Sequence, residues 1–240
     1  MSDSADWIPL RRLRSHEQVT AAIEQRILAG QLHVGDRLPP ERQFAEMLGV
    51  SRSAVREALR VLEALGILAA QTGSGRDAGS TLVGQPSEAM TLLLRLHLAL
   101  SNFTVDDVVD TRVTIEGAAV RAAAGRPEFA NLAELERILD SMDELGMPTQ
   151  RFNELDTQFH VAIGALSGNH LMAHLMQALR DTMRDHMVRA FERLEDPAPV
   201  LTELRHQHRE IHDLIRTGDG DGAAQAIDRH IRHFYAKYGK

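Results

Sequence analysis

The chain has no cysteine. That excludes a disulfide scaffold, a thiolate metal site and a cysteine nucleophile, and it suits a reducing cytosol. Aromatic residues are scarce, at 4%, which favours helical bundles over β-sandwiches or a base-stacking platform. Long apolar runs are missing too. The most apolar stretch, 90–100, is interrupted by Arg95 and His97 and is too short to span a bilayer. The start, MSDSADWIP, lacks a cationic segment followed by an apolar one, so no secretory signal is expected. These absences point to a cytoplasmic protein with no membrane partner. What is present is 240 residues, 43% hydrophobic and 25% charged, enough for one or two globular domains with a sizeable core.

A net charge of −7 argues against nucleic acid until it is divided along the chain. Residues 1–83 hold ten Lys/Arg and ten Asp/Glu, whereas 84–240 hold seventeen and twenty-four. Ten of the twelve histidines also follow residue 84. Two halves of such different ionic character predict two domains with different partners, 1–84 and 85–240, joined through Gly84, Gln85, Pro86 and Ser87.

In the first half, Val19, Ala22, Ile23, Ile27 and Leu28 recur at helical spacing, and Gly30 marks a stop. Gly35 and Pro39-Pro40 force a turn, and Glu41 opens a second helix that carries Phe44, Ala45 and Leu48 and ends at Gly49. Ser51 is placed to cap a third helix running to about Leu65, with Val55, Leu59 and Leu62 inward and Gly66 at its end. Residues 67–71 and 81–83 read as short strands around the loop TGSGRDAGS. Three helices, a tight turn between the second and third, and a β-hairpin make a winged helix-turn-helix. Ser51, Arg52, Ser53 and Arg56 lie at the N-terminal end of its third helix, with Arg52 and Arg56 four apart on one outward face. Those are the positions that reach base edges in a major groove, where arginine is the best bidentate donor to guanine. The alternative is a solvated face partly paired to Glu57 and Glu63. It is outweighed because the turn, the serine cap and the glycine-rich hairpin agree.

The run GDRLPPERQFAEMLGVSRSAVREALRVLEALGIL resembles the DNA-binding signature of the GntR family of bacterial transcription regulators over residues 13–70. The resemblance implies that Arg42, Arg52 and Arg56 contact operator DNA and that Gly73, at the wing tip, approaches the minor groove. Pro40 replaces the Ser or Thr often found there, removing a possible helix cap. The wing loop is also longer than usual and carries Arg76.

The second half shows helical periods and no strand alternation, with breaks that define six or seven helices of an all-α bundle. In the helix from about Thr149 to Ser167, Phe152, Leu155, Phe159, Ile163 and Leu166 form the core stripe, and Asp156 and His160 lie beside it, four apart. His208 falls inside the stripe of Leu204, Ile211 and Ile215, and His230 inside that of Ala223, Ile227 and Phe234. The turn TGDGDG is centred near Gly220, twelve residues after His208 and ten before His230, so an antiparallel hairpin sets the two nearly level. One carboxylate and three imidazoles on inward faces suit a divalent transition metal; hydrogen-bonded core histidines remain the other reading. The pairs His170/His174 and His208/His212 also have helical spacing and read more readily as solvated faces. Arg112 and Glu116, in the helix from Thr104 to Ala123, have the spacing of an ordinary i,i+4 ion pair.

LDTQFHVAIGALSGNHLM and RHQHREIHDLIRTGDGDGAAQAIDRHIRHF resemble the FCD effector domain of the FadR-type subfamily of GntR regulators, over most of 88–235. The resemblance implies one divalent metal per chain, zinc first and Ni, Fe, Co or Mn as alternatives, held by Asp156, His160, His208 and His230. It also implies a small carboxylate effector read by Arg112, whose guanidinium can hold a carboxylate bidentately. Asn169 matches a common family position and fits a helix cap equally well. The function expected is a metabolite-responsive repressor, not an enzyme: a homodimer on a palindromic operator, released when the carboxylate binds. The other reading is a metal-dependent hydrolase with an accessory DNA-binding domain. His212-Asp213 prompts it, with Glu116 or His212 as the acid or base.

Overall fold

A computed structural model describes residues 14–71, 79–84, 86–100, 102–125 and 132–238; Gly73 and Arg76 of the wing loop lie outside them. The chain divides into two compact units, Met1–Ala89 and Met90–Lys240. Among the described residues, no helix is long and apolar enough to cross a membrane.

The first unit consists of α1 (Ser15–Leu28), α2 (Glu41–Leu48), α3 (Arg52–Ala64) and the hairpin β1 (Leu68–Gln71) and β2 (Gly79–Leu82). Val55, Ala58, Leu59 and Leu62 repeat on one side of α3 and bury against Val19 and Ile23 of α1 and Phe44 of α2. Ser51 caps α3, accepting from the Ala54 amide at 3.2 Å, while Pro40 precedes α2 with no side-chain cap. The turn from α2 to α3 depends on Gly49, whose φ of +65° costs an L-residue about 1–2 kcal/mol. The strands are antiparallel, Leu68 opposite Leu82, so β2 starts two residues before the expected Thr81. One pairing goes beyond the sequence reading. Residues 35–38 run along β2, with Gly35 N donating to Leu82 O (2.9 Å), Leu82 N to Asp36 O (2.8 Å) and Leu38 N to Ser80 O (2.9 Å). The segment read as a turn is thus also a third rung of the wing.

Among the described residues, the rest of the chain forms α4 (Pro86–Ala99), which crosses from the first unit into the second, and then α5 (Val105–Ala124), α6 (Leu132–Met142), α7 (Thr149–Leu166), α8 (His170–Glu192), α9 (Ala198–Arg216) and α10 (Gly220–Tyr238). Helix α4 begins inside the segment read as a linker. Leu94 and Leu98 of α4 pack on Val108, Leu179 and Met183, while Leu92, Leu93, Leu96 and Leu100 are more than half exposed. A capping box starts α5: Thr104 Oγ1 accepts from Asp107 N (3.1 Å), and Asp107 accepts from Thr104 N (2.8 Å). Helices α7 and α8 approach closely at Gly164, where a Cβ would come within 3.0 Å of the Ala173 Cα. Asn169 caps α8, accepting from Met172 N at 3.2 Å. Helices α9 and α10 form the antiparallel hairpin, turning at Gly218 with φ of +80°.

Candidate metal centre

Three helices bring four residues together in the middle of the second unit. Helix α7 supplies Asp156 and His160, α9 His208 and α10 His230, all buried. One ligand atom from each lies within 4.8 Å of every other. The hairpin arithmetic places His208 and His230 level, and their ring centroids are 4.6 Å apart. His160 stacks on His230 at 5.1 Å and meets His208 edge-on at 5.4 Å.

The imidazoles are poorly matched by the protein itself. Both ring nitrogens of His160 and of His208 are buried with no hydrogen-bond partner. His208 Nε2 is 3.0 Å from Asp156 Oδ1, and His160 Nδ1 is 2.5 Å from Glu116 Oε2, but neither contact is aligned as a hydrogen bond. Four unpartnered nitrogens in a core are costly unless something electrophilic sits among them. Burial, reinforced by the Arg180 charge, lowers the His160 pKa from 6.5 to about 4. Burial, together with His208 and His160, holds that of His230 well below its ordinary value. Both imidazoles are therefore neutral at pH 7, the form that binds a metal ion. The donor set, three such rings and one carboxylate, is capable of chelating a divalent transition metal.

Around this cluster runs an ion-pair network that the sequence reading only half contained. Arg112 Nε donates to Glu116 Oε1 at 2.9 Å within the core, and Nη1 donates to the hydroxyl of half-buried Tyr235 at 2.9 Å. The i,i+4 ion pair considered for Arg112 and Glu116 is thus formed, but buried. Arg180 of α8 was missed: its guanidinium donates to Asp156 Oδ2 and, at 3.3 Å, to Glu116 Oε2. Its signal was present in the sequence, since Arg180 interrupts the apolar row Met176, Leu179, Met183, Met187. Burial opposes ionisation of Asp156 and Glu116. Arg180 beside both, and Arg112 beside Glu116, outweigh it and hold both carboxyls well below the usual range. Two guanidiniums and two carboxylates leave the network neutral. A cavity of about 10 Å³ adjoins it, lined by Arg112, Asp156, Arg180, His230, Phe234 and Tyr235 among others.

The other histidines lie elsewhere. His170 and His206 are exposed and His174 is half-buried. His212 is a correction in detail: it is buried rather than on a solvated face, because it packs towards α6, its Nε2 3.7 Å from Glu136. It takes no part in the four-residue cluster.

In the first unit, Arg42, Ser51, Arg52, Ser53 and Arg56 are all exposed. Ser51 and Ser53 are linked through their hydroxyls at 2.9 Å. Arg56 does not pair with Glu57 or Glu63. Glu41, at the start of α2, takes it bidentately, with Nε and Nη2 donating at 3.1 and 2.8 Å. The pair bridges the first turn of α2 to α3 and keeps the guanidinium on the outer surface.

Residues 107–233 match the FCD domain, and residues 15–76 match the description "Bacterial regulatory proteins, gntR family". The chain belongs to this family of regulators. The regulator is 30% identical over 222 residues to the "Glc operon transcriptional activator" of Escherichia coli (strain K12), covering 90% of this chain and 85% of that one. It is 31% identical over 211 residues to the "HTH-type transcriptional regulator LutR" of Bacillus subtilis (strain 168), covering 84% and 91%. Among solved structures, "Streptococcus agalactiae GntR" shares the fold, with a TM-score of 0.62, 24% identity, and coverage of 92% of this chain and 100% of that one. The regulator is a DNA-binding transcription factor, and the family's members are not enzymes. That removes the hydrolase reading of His212-Asp213.

Proposed function

We propose that the regulator is a metal-dependent, carboxylate-responsive repressor of the FadR type, acting in the cytoplasm. Residues 1–84 hold the operator and 85–240 the metal, the effector and the dimer contacts. The observation that carries this reading is the cluster of Asp156, His160, His208 and His230, with its unpartnered imidazole nitrogens beside two buried guanidiniums. When bound, the ion supplies a Lewis-acidic centre for a carboxylate oxygen. Three nitrogens and one oxygen suit Zn first, and also Ni, Fe, Co or Mn.

Charge supports an anionic effector. The surrounding network is neutral as it stands, so a divalent ion leaves two positive charges in the core. A small anion offsets them at short range, where the low dielectric makes the attraction strong. The cavity of about 10 Å³ has room for about one water-sized group, so the effector enters by exchange. Arg112 gives up Glu116 for the effector carboxylate, and Glu116 keeps Arg180 and its contact with His160. The expected result is that Arg112→Met weakens the effector about ten- to a hundred-fold, because a charge-assisted hydrogen bond is worth roughly 1.5–3 kcal/mol. Calorimetric titration of the metal-loaded variant with small hydroxy- and dicarboxylates checks this, with melting temperature as control. Wild-type affinity in a well-folded variant would refute it.

Two winged helices of a homodimer suit a palindromic operator. The exposed leucine row of α4 supports self-association. Arg52 and Arg56 read base edges from α3, with Ser51 and Ser53 beside them; Arg42 also contacts the operator, and the minor-groove contact is assigned to Gly73, which is outside the described residues. Arg52→Ala or Arg56→Ala is expected to weaken operator binding by about 1–3 kcal/mol and leave metal content and dimerisation unchanged. Gel shifts on a duplex selected from random sequence measure it; unchanged affinity in both variants overturns this role for α3. Adding the effector to wild type should release the same duplex, and failure of every carboxylate tested to do so defeats the repressor reading.

A further inference from the structure

Gln207 immediately precedes His208 on α9. Consecutive helical residues point about 100° apart, so His208 enters the core while Gln207 lies half-buried beside α10. There its Oε1 is 2.8 Å from His230 Nδ1. An amide oxygen only accepts, so the proton of this bond belongs to Nδ1, and Nε2 keeps the lone pair that the imidazole can give to an ion. Among the described residues this is the hydrogen bond of the His230 ring, which otherwise stacks on His160, packs against His208 and lies near Asp156.

The surroundings sharpen the role. Gln207 and His230 lie in the floor of a groove of about 370 Å³ between α9 and α10, with Glu203, His206, Glu210, Arg229 and His233 around it. Two carboxylates are near enough to suggest themselves as substitutes, but both are engaged. Glu203 pairs with His233 at 2.9 Å and with Lys237 at 3.8 Å, and Glu210 pairs with Arg229 at 2.8 Å. Without Gln207, groove water meets Nδ1, and nothing holds the ring in one tautomer. A neutral amide also orients His230 without adding charge to a network that is already balanced.

We propose that Gln207 is the positioning residue of the metal centre, accepting from His230 Nδ1–H and so presenting Nε2 to the ion. The inference rests on the metal reading above. It is tested in the full-length protein with Zn(II), by competition against a chromophoric chelator, and by long-range ¹H–¹⁵N NMR of His230 in the metal-free protein. Wild type should show His230 protonated at Nδ1. Gln207→Leu should show mixed tautomers and bind Zn(II) about 10–100-fold more weakly, the usual cost of losing such an outer partner. Gln207→Glu restores an acceptor but sets a second carboxylate against Glu203, to which the Gln207 amide donates at 3.3 Å, and should bind Zn(II) more tightly than Gln207→Leu without reaching wild type. Unchanged Zn(II) affinity in folded Gln207→Leu overturns the proposal. So does a wild-type His230 protonated at Nε2, a measurement that needs no variant to fold. Wild type that takes up no Zn(II) overturns the metal reading itself and this inference with it, whereas tight wild-type binding with an indifferent Gln207→Leu removes only the role of Gln207.

Discussion

Replacing His208 with alanine is expected to strip the regulator of stoichiometric metal. His208 is fully buried, 3.0 Å from Asp156 and within 5.4 Å of both other rings, and its two nitrogens have no other partner. The variant keeps three ligands but loses the one that joins α9 to α7 and α10. Metal content by elemental analysis should fall from about one ion per chain to near zero. An ion at a hundred times its dissociation constant stabilises the folded state by about 2.7 kcal/mol. For a protein of this size that corresponds to roughly 5–10 °C in melting temperature, lost in the variant. Asp156→Ala, His160→Ala and His230→Ala should behave alike, since the four act as one site. His170→Ala, His174→Ala and His206→Ala should keep their metal. His212→Ala is the stringent control: it lies one turn from His208 and is buried, yet faces Glu136. Metal that survives His208→Ala and disappears with His174→Ala would show that the ligand set has been chosen wrongly.

Arg180→Met is expected to be the most destabilising single change in the metal-free protein. The guanidinium is buried and is the shared cation of Asp156 and Glu116. Methionine fills much of the space but leaves Asp156 with no cationic side chain beside it, while Glu116 keeps Arg112. Breaking a buried pair from one side costs about 3–5 kcal/mol, because the remaining charge is left uncompensated. That predicts a fall in melting temperature of roughly 6–20 °C. Zn(II) should recover part of the loss, since a cation at Asp156 replaces the one removed. Arg184→Met removes an exposed arginine paired with Asp181 and should shift stability by less than about 1 kcal/mol. A metal-free Arg180→Met protein that melts with wild type would mean that the Arg180 pairs contribute no net stability.

Much of the four-residue cluster was legible because its members lie where helical periodicity puts them. Asp156 and His160 are one turn apart on α7, beside Phe152, Phe159 and Ile163. His208 and His230 each interrupt an apolar row, and the glycine-marked turn between them sets their levels. Arg180 obeys the same rule and could have been found by it, as a charge in the row from Met176 to Met187. It escaped because a lone arginine on a helix has no partner within its own segment: Asp156 and Glu116 lie 24 and 64 residues away. Gln207 carries no such signal. A glutamine at the edge of an apolar face is ordinary, and only the crossing of α9 and α10 brings it to His230.

The amino-acid sequence by itself determined the elements and their inward faces. Glycines able to take positive φ end α2 and α9, Ser51 and Thr104 cap α3 and α5, and the recurrence of apolar residues says which side of each helix is buried. These are effects within one or two turns of chain, where spacing and backbone sterics act alone. The tertiary structure decided every pairing between distant segments. It laid residues 35–38 along β2, turned Glu41 rather than Glu57 or Glu63 towards Arg56, drew Glu116 to both Arg180 and His160, and set Gln207 against His230. The physical reason is that a buried polar group must find a partner wherever packing brings one. Which partner arrives depends on how helices cross, a property of the folded chain as a whole that no local stretch specifies.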